Sequence, residues 1–69
     1  MGDPRLGSRL KEARMAAELT QAGLADRAGV SRKTINTVEN GVFVPSTVLA
    51  LELARALDTT VEALFFLRD

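Results

Sequence analysis

The sequence predicts an all-α fold, a compact bundle of five short helices, and three observations predict it. Apolar residues recur at spacings of three and four, with no strand-like alternation before the last few residues. Hydroxyl side chains at Thr20, Ser31 and Ser46 stand where helix N-caps belong. Gly29, Asn40-Gly41 and Pro45 supply the breaks between the periodic segments. With 69 residues there is room for one domain, 1–69, which buries only about 60% of its unfolded surface.

The first helix is read over Ser8 to Ala17, because Leu6, Leu10, Ala13 and Ala17 fall on one helical face. Thr20 caps a second, Gln21 to Ala28, with Leu24, Ala25 and Ala28 as its apolar stripe and Gly29 as its stop. Ser31 caps a third, Arg32 to Glu39, which turns Ile35 and Val38 inward. The residue before a proline is pushed out of the helical region, so Val42 to Pro45 is extended. Ser46 then opens a fourth helix to about Leu57, apolar on most sides and therefore expected at the centre of the core. Thr59 with Glu62 forms a capping box for a fifth helix through Val61, Leu64 and Phe65.

Composition excludes several functions. The chain has no cysteine and no histidine, so zinc fingers, disulfide scaffolds, thiol nucleophiles and Ser-His-Asp triads are out of reach, and no metal or cofactor is expected. The remaining acids and bases are scattered carboxylates and lysines without a cleft, so the chain is not read as an enzyme. No apolar run approaches the ~18 residues of a membrane span, and the N-terminus has no apolar signal core, so no membrane partner and a cytoplasmic location are expected. The net charge of zero looks unfavourable for a nucleic-acid partner, but it is a cancellation. Residues 1–33 carry seven basic and four acidic side chains, and residues 34–69 carry two and five. The half that contains the second helix and the start of the third is therefore basic, which would orient the molecule on a phosphate backbone.

The core of the functional reading lies in residues 21–40. Two short helices joined by a tight turn cross closely only if the first is small at the crossing and the turn tolerates positive φ; Ala25 and Gly29 meet those needs. Ile35 and Val38 pack back on Leu24 and Ala28. This is helix-turn-helix spacing. Arg14, beside the apolar face of the first helix, and Glu39, at the inward edge of the third, are both expected to be partly buried and to pair.

On the residues RLKEAR, LTQAGLADRAGVSRKTINTVENG, VPSTVLALELARAL and VEALF the chain resembles the phage Cro and repressor type of helix-turn-helix regulator, the XRE family. The resemblance covers nearly everything from Arg9 to Leu67 and implies a lambda-repressor-like five-helix domain whose third helix enters the DNA major groove. It implies base reading by Arg32, Lys33, Asn36 and Thr37, a phosphate contact by Gln21, a backbone contact by Asn40, and an Arg14–Glu39 salt bridge. The chemistry agrees: arginine and lysine suit guanine, and asparagine can pair with adenine. Ser31, Thr34 and Thr47 are expected on phosphates, the last at a helix N-terminus with free amide groups. Gly23 departs from the family, which favours glutamate or another helix former there, and costs about 1 kcal/mol of helix propensity.

One domain reads one half-site, so a homodimer on a palindromic operator is expected, acting as a repressor on double-stranded DNA. The tail 61–69 is the expected interface. Leu64 and Phe65 can be buried under the fourth helix, but so small a domain leaves Phe66 and Leu67 over, and Val61, Phe65, Phe66 and Leu67 are assigned to the two-fold contact, with room for a short strand paired across the axis. PSTVLALELARAL followed by VEALFFL also resembles the module fused to molybdate-type ligand-binding domains; without that domain no small-molecule ligand is expected. The rival reading is an antitoxin-like or adaptor module of the same fold, which would use the apolar tail and make little use of Arg32 and Lys33.

Overall fold

In a computed structural model that describes residues 2–68, the chain runs β1 (Leu6–Ser8), α1 (Leu10–Ala16), α2 (Gln21–Ala28), α3 (Arg32–Glu39), α4 (Thr47–Ala56), α5 (Val61–Leu64) and β2 (Phe65–Leu67). Helices dominate, and α2 to α4 begin where the hydroxyl residues predict. Thr20 Oγ1 accepts from the Gly23 N–H at 2.9 Å, Ser31 Oγ from Thr34 at 3.2 Å and Ser46 Oγ from Leu49 at 3.1 Å. Each cap satisfies one of the N–H groups that a first turn leaves without a partner.

The first four helices end on a single device. At Glu18, Gly29, Gly41 and Asp58 the backbone turns to φ of 58°, 72°, 72° and 54°. The next residue then donates back into the helix: Leu19 to the Arg14 carbonyl at 3.1 Å, Val30 to Ala25 at 3.0 Å, Val42 to Thr37 at 3.0 Å and Thr59 to Ala54 at 2.9 Å. This is the Schellman closure, and glycine fits it because it has no Cβ to strain the left-handed backbone. Glu18 lacks that freedom. Glu18→Gly is therefore expected to stabilise the fold by about 0.5–1 kcal/mol after glycine's own entropy cost, raising the melting temperature by roughly 2–8 °C. A melting curve shifted downward would contradict it.

One buried cluster holds the helices together: Leu10 from α1, Leu24, Ala25 and Ala28 from α2, Ile35 and Val38 from α3, Ala50, Leu53 and Ala54 from α4, and Leu64 with Phe65. The small residues Ala25 and Ala28 stand where α2 packs against α3, and the inward pair of α3 is the predicted one.

Several expectations are corrected. The first helix starts at Leu10, not Ser8, because Leu6–Ser8 pairs as a strand with the tail; Ala17 is exposed. The antiparallel register is Leu6 with Leu67, Gly7 with Phe66 and Ser8 with Phe65, so the tail strand finds its partner inside the chain rather than across a two-fold axis. Gly7 is buried beneath the Phe66 ring, where any Cβ would collide, and the Arg9 guanidinium lies over that ring, 4.1 Å from its centroid. Phe65, assigned to an interface, is buried in the core. The fifth helix is capped by Thr60, whose hydroxyl accepts from Ala63 at 3.1 Å, because Thr59 is consumed in closing α4. Finally, α4 is not enclosed on most sides: Val48 is 71% and Leu51 57% exposed.

Candidate nucleic-acid interface

The outward face of α3 is set by helical geometry. Ile35 and Val38 are buried, which turns Arg32, Lys33 and Asn36 to the opposite side, and all three are exposed; Thr37 sits half-buried at the edge. Among the described residues, Arg32 and Lys33 have no carboxylate partner. They occupy the first turn, where a cation opposes the helix dipole, so folding alone does not account for them. Thr37 Oγ1 donates to its own helix at the Thr34 carbonyl, 2.9 Å away, leaving its methyl group and oxygen lone pairs outward. Ser31 and Thr34 hydroxyls bond to each other at 2.9 Å, which holds both at the mouth of α3.

Behind that face lies a polar network joining three helices. Arg14 Nε donates to Glu39 Oε2 at 2.6 Å and Nη2 to Oε1 at 3.3 Å, while Nη1 donates to the Leu19 carbonyl at 2.9 Å. The side chains are only 12% and 2% exposed, so the pair is desolvated, and the guanidinium fork satisfies both carboxylate oxygens. Gln21 Nε2 donates to Glu39 Oε1 at 3.1 Å and to Asn36 Oδ1 at 3.2 Å, and Asn40 Nδ2 donates to the same Asn36 oxygen at 3.2 Å.

Of this network only the Arg14–Glu39 pair was expected from the sequence. Gln21, Asn36 and Asn40 were each expected to face DNA separately; the structure links them through the Asn36 oxygen, and Gln21 connects that chain to Glu39. It also narrows Gln21, because both hydrogens of its amide are engaged and a phosphate offers only acceptors. The main-chain N–H of Gln21 stands in the first turn of α2, where the Thr20 cap is directed at Gly23. Thr47 stands likewise in the first turn of α4, beyond a Ser46 cap directed at Leu49. Val61 lines an open apolar groove of 680 Å³ shared with Leu6, Val44, Leu51 and Phe65, while Phe66 lies on Gly7 and Leu67 is 69% exposed. Among the described residues no group of acids could hold a metal ion, and no helix is long and apolar enough to cross a membrane.

Two helices crossing through small residues, a glycine turn, and a second helix with an unpaired basic first turn define the class of helix-turn-helix regulators. The chain belongs to the helix-turn-helix domain family, whose model matches residues 5–65. It is 34% identical over 62 residues to the uncharacterized HTH-type transcriptional regulator YgzD of Bacillus subtilis, covering 90% of this chain and 94% of that protein. An HTH-type transcriptional regulator of Methanothermobacter thermautotrophicus is 44% identical over 61 residues, 87% of this chain and 88% of the relative. Among solved structures, the restriction-modification controller protein C.AhdI from Aeromonas hydrophila matches with a TM-score of 0.76 at 41% identity, over 78% of this chain and 82% of that one. A chain of the SinR–SinI protein complex matches with a TM-score of 0.75 at 25% identity, over 80% of this chain and 54% of that one.

Proposed function

We propose that this regulator reads a palindromic operator in double-stranded DNA as a homodimer and represses transcription there. The observation that carries the reading is the exposed, unpaired basic first turn of α3, with Arg32 and Lys33 set to reach guanine edges and Thr37 beside them. Ser31, Thr34 and Asn40 add hydroxyl and amide groups, and the N-terminal amides at Gln21 and Thr47 add main-chain donors, for phosphate oxygens. Repression follows where the operator overlaps a promoter, because the bound protein excludes polymerase.

Size supports the dimer. The longest extent of the molecule is 30 Å, whereas half-site centres lie about 34 Å apart on one face of DNA. The apolar groove beside Val61 and the exposed Leu51 and Leu67 offer surface for a second copy. Phe65 lines the same groove, and the Phe66 ring packs over Gly7. A second reading, a protein partner seated in the same groove, has one observation in its favour: a matching structure is a complex of SinR with SinI.

Selection of bound duplexes from a random pool, followed by affinity measurements across salt, tests the proposal. Enrichment of a two-fold symmetric sequence is expected. Log affinity should fall as log salt rises, because the basic first turns of both protomers enter a groove lined by phosphates. Absence of any enriched duplex, or a slope near zero, would assign the fold to a protein partner instead.

A further inference from the structure

The network behind α3 determines more than packing, because its hydrogen bonds have a direction. A carboxylate can only accept, and Glu39 is 2% exposed and held by Arg14 at 2.6 Å. Gln21 must therefore turn its amide nitrogen, not its oxygen, toward Glu39, as the 3.1 Å contact shows. The second hydrogen of that nitrogen then faces Asn36 and meets its Oδ1 at 3.2 Å. Asn40 Nδ2 supplies a second donor to the same oxygen at 3.2 Å. Both lone pairs of the Asn36 carbonyl are thus occupied inside the protein. Among the described residues nothing accepts from Asn36 Nδ2, and Asn36 is exposed on the reading face.

Reversing any one amide would oppose oxygen to oxygen or nitrogen to nitrogen along the chain, ending at a carboxylate that cannot donate. The orientation of an exposed asparagine is in this way dictated by a buried ion pair one turn further along α3.

Resting on the DNA-reading function proposed above, we infer that Asn36 is a donor-only probe that reads guanine, with Glu39 as the positioning residue that sets its polarity. The two-point contact of asparagine with adenine needs an acceptor for the adenine amino group, and that acceptor is spent. Guanine presents two adjacent acceptors, N7 and O6, to which the free amide hydrogens of Asn36 can both donate. This reverses the adenine pairing expected from residue type alone.

Two measurements test it. In the duplex selection, the base pair whose preference disappears in Asn36→Ala marks where Asn36 reads. There the wild-type protein should favour G·C over A·T by roughly tenfold. Glu39→Gln, checked for folding by circular dichroism, lets the Gln21 amide reverse and should shrink that preference to about threefold or less. An A·T preference at that pair, or an undiminished G·C preference in folded Glu39→Gln, overturns the inference. The second measurement needs neither DNA nor a variant. Side-chain amide hydrogens of Gln21 should exchange with solvent about tenfold more slowly than those of Asn36 by NMR. The opposite order overturns the assigned polarity. Failure to select any duplex would strike at DNA reading itself, and the exchange rates would still decide the polarity.

Discussion

Arg14→Met is expected to cost about 3–5 kcal/mol of stability, the largest loss from any polar substitution in this chain. The reason is asymmetry. The methionine can refill most of the aliphatic volume of arginine, but the Glu39 carboxylate stays behind, 2% exposed, with Gln21 as its one remaining side-chain donor. The Leu19 carbonyl loses its donor as well. A domain of 69 residues has a total stability of only about 3.5–10 kcal/mol, so the substitution removes between roughly a third and all of it. Urea denaturation followed by circular dichroism measures the loss. Adding Glu39→Leu to Arg14→Met removes the stranded charge and should recover much of it, because a buried pair exchanged for apolar residues is often close to neutral. A loss under 1 kcal/mol in the single variant would mean that water solvates Glu39 and that the pair contributes no more than a surface one.

Arg32→Ala is expected to separate binding from stability. On a dimer the substitution removes two guanine contacts, so affinity for the selected operator should fall by roughly 30-fold to 10⁴-fold, while binding to random duplex weakens far less. Stability should stay the same or rise by a few tenths of a kcal/mol, because a cation is removed from the positive end of α3. Fluorescence anisotropy at one fixed salt concentration gives both affinities, and a thermal melt gives the stability. Equal losses on operator and random DNA would make Arg32 a phosphate contact and pass the reading of sequence to Lys33 and Asn36.

The two predictions concern opposite ends of one helix, the first turn of α3 at Arg32 and its last turn at Glu39. Ile35 and Val38 anchor it to the core, and Glu39 ties its last turn to α1 and α2. The hairpin of β1 with β2 lies elsewhere, joining the two ends of the chain: Arg9 donates its N–H to the Leu64 carbonyl and Arg68 to that of Arg5, each at 2.7 Å.

What the sequence determined by itself is local. Caps at Thr20, Ser31 and Ser46 act over three residues, and Gly29 and Gly41 act at the site of their own φ, so the boundaries of α2 and α3 and the start of α4 follow from neighbouring residues alone. Helical periodicity sorted Ile35 and Val38 inward and Arg32, Lys33 and Asn36 outward for the same reason. The Arg14–Glu39 pairing was also within reach, since two charges beside apolar stripes need one another. Tertiary structure alone decided the rest. Leu6–Ser8 and Phe65–Leu67 each have only three residues, too few to show a period, and they become strands by pairing across nearly the full length of the chain. That pairing moved Ser8 out of the first helix and kept the tail strand within the chain. The choice of Thr60 over Thr59 as a cap was made by the closure of α4, which claimed Thr59 first. The polarity of Asn36 was decided by tertiary contacts, because an amide presents oxygen or nitrogen according to what faces it, and here that is the Gln21 nitrogen, itself turned by the buried Glu39 carboxylate.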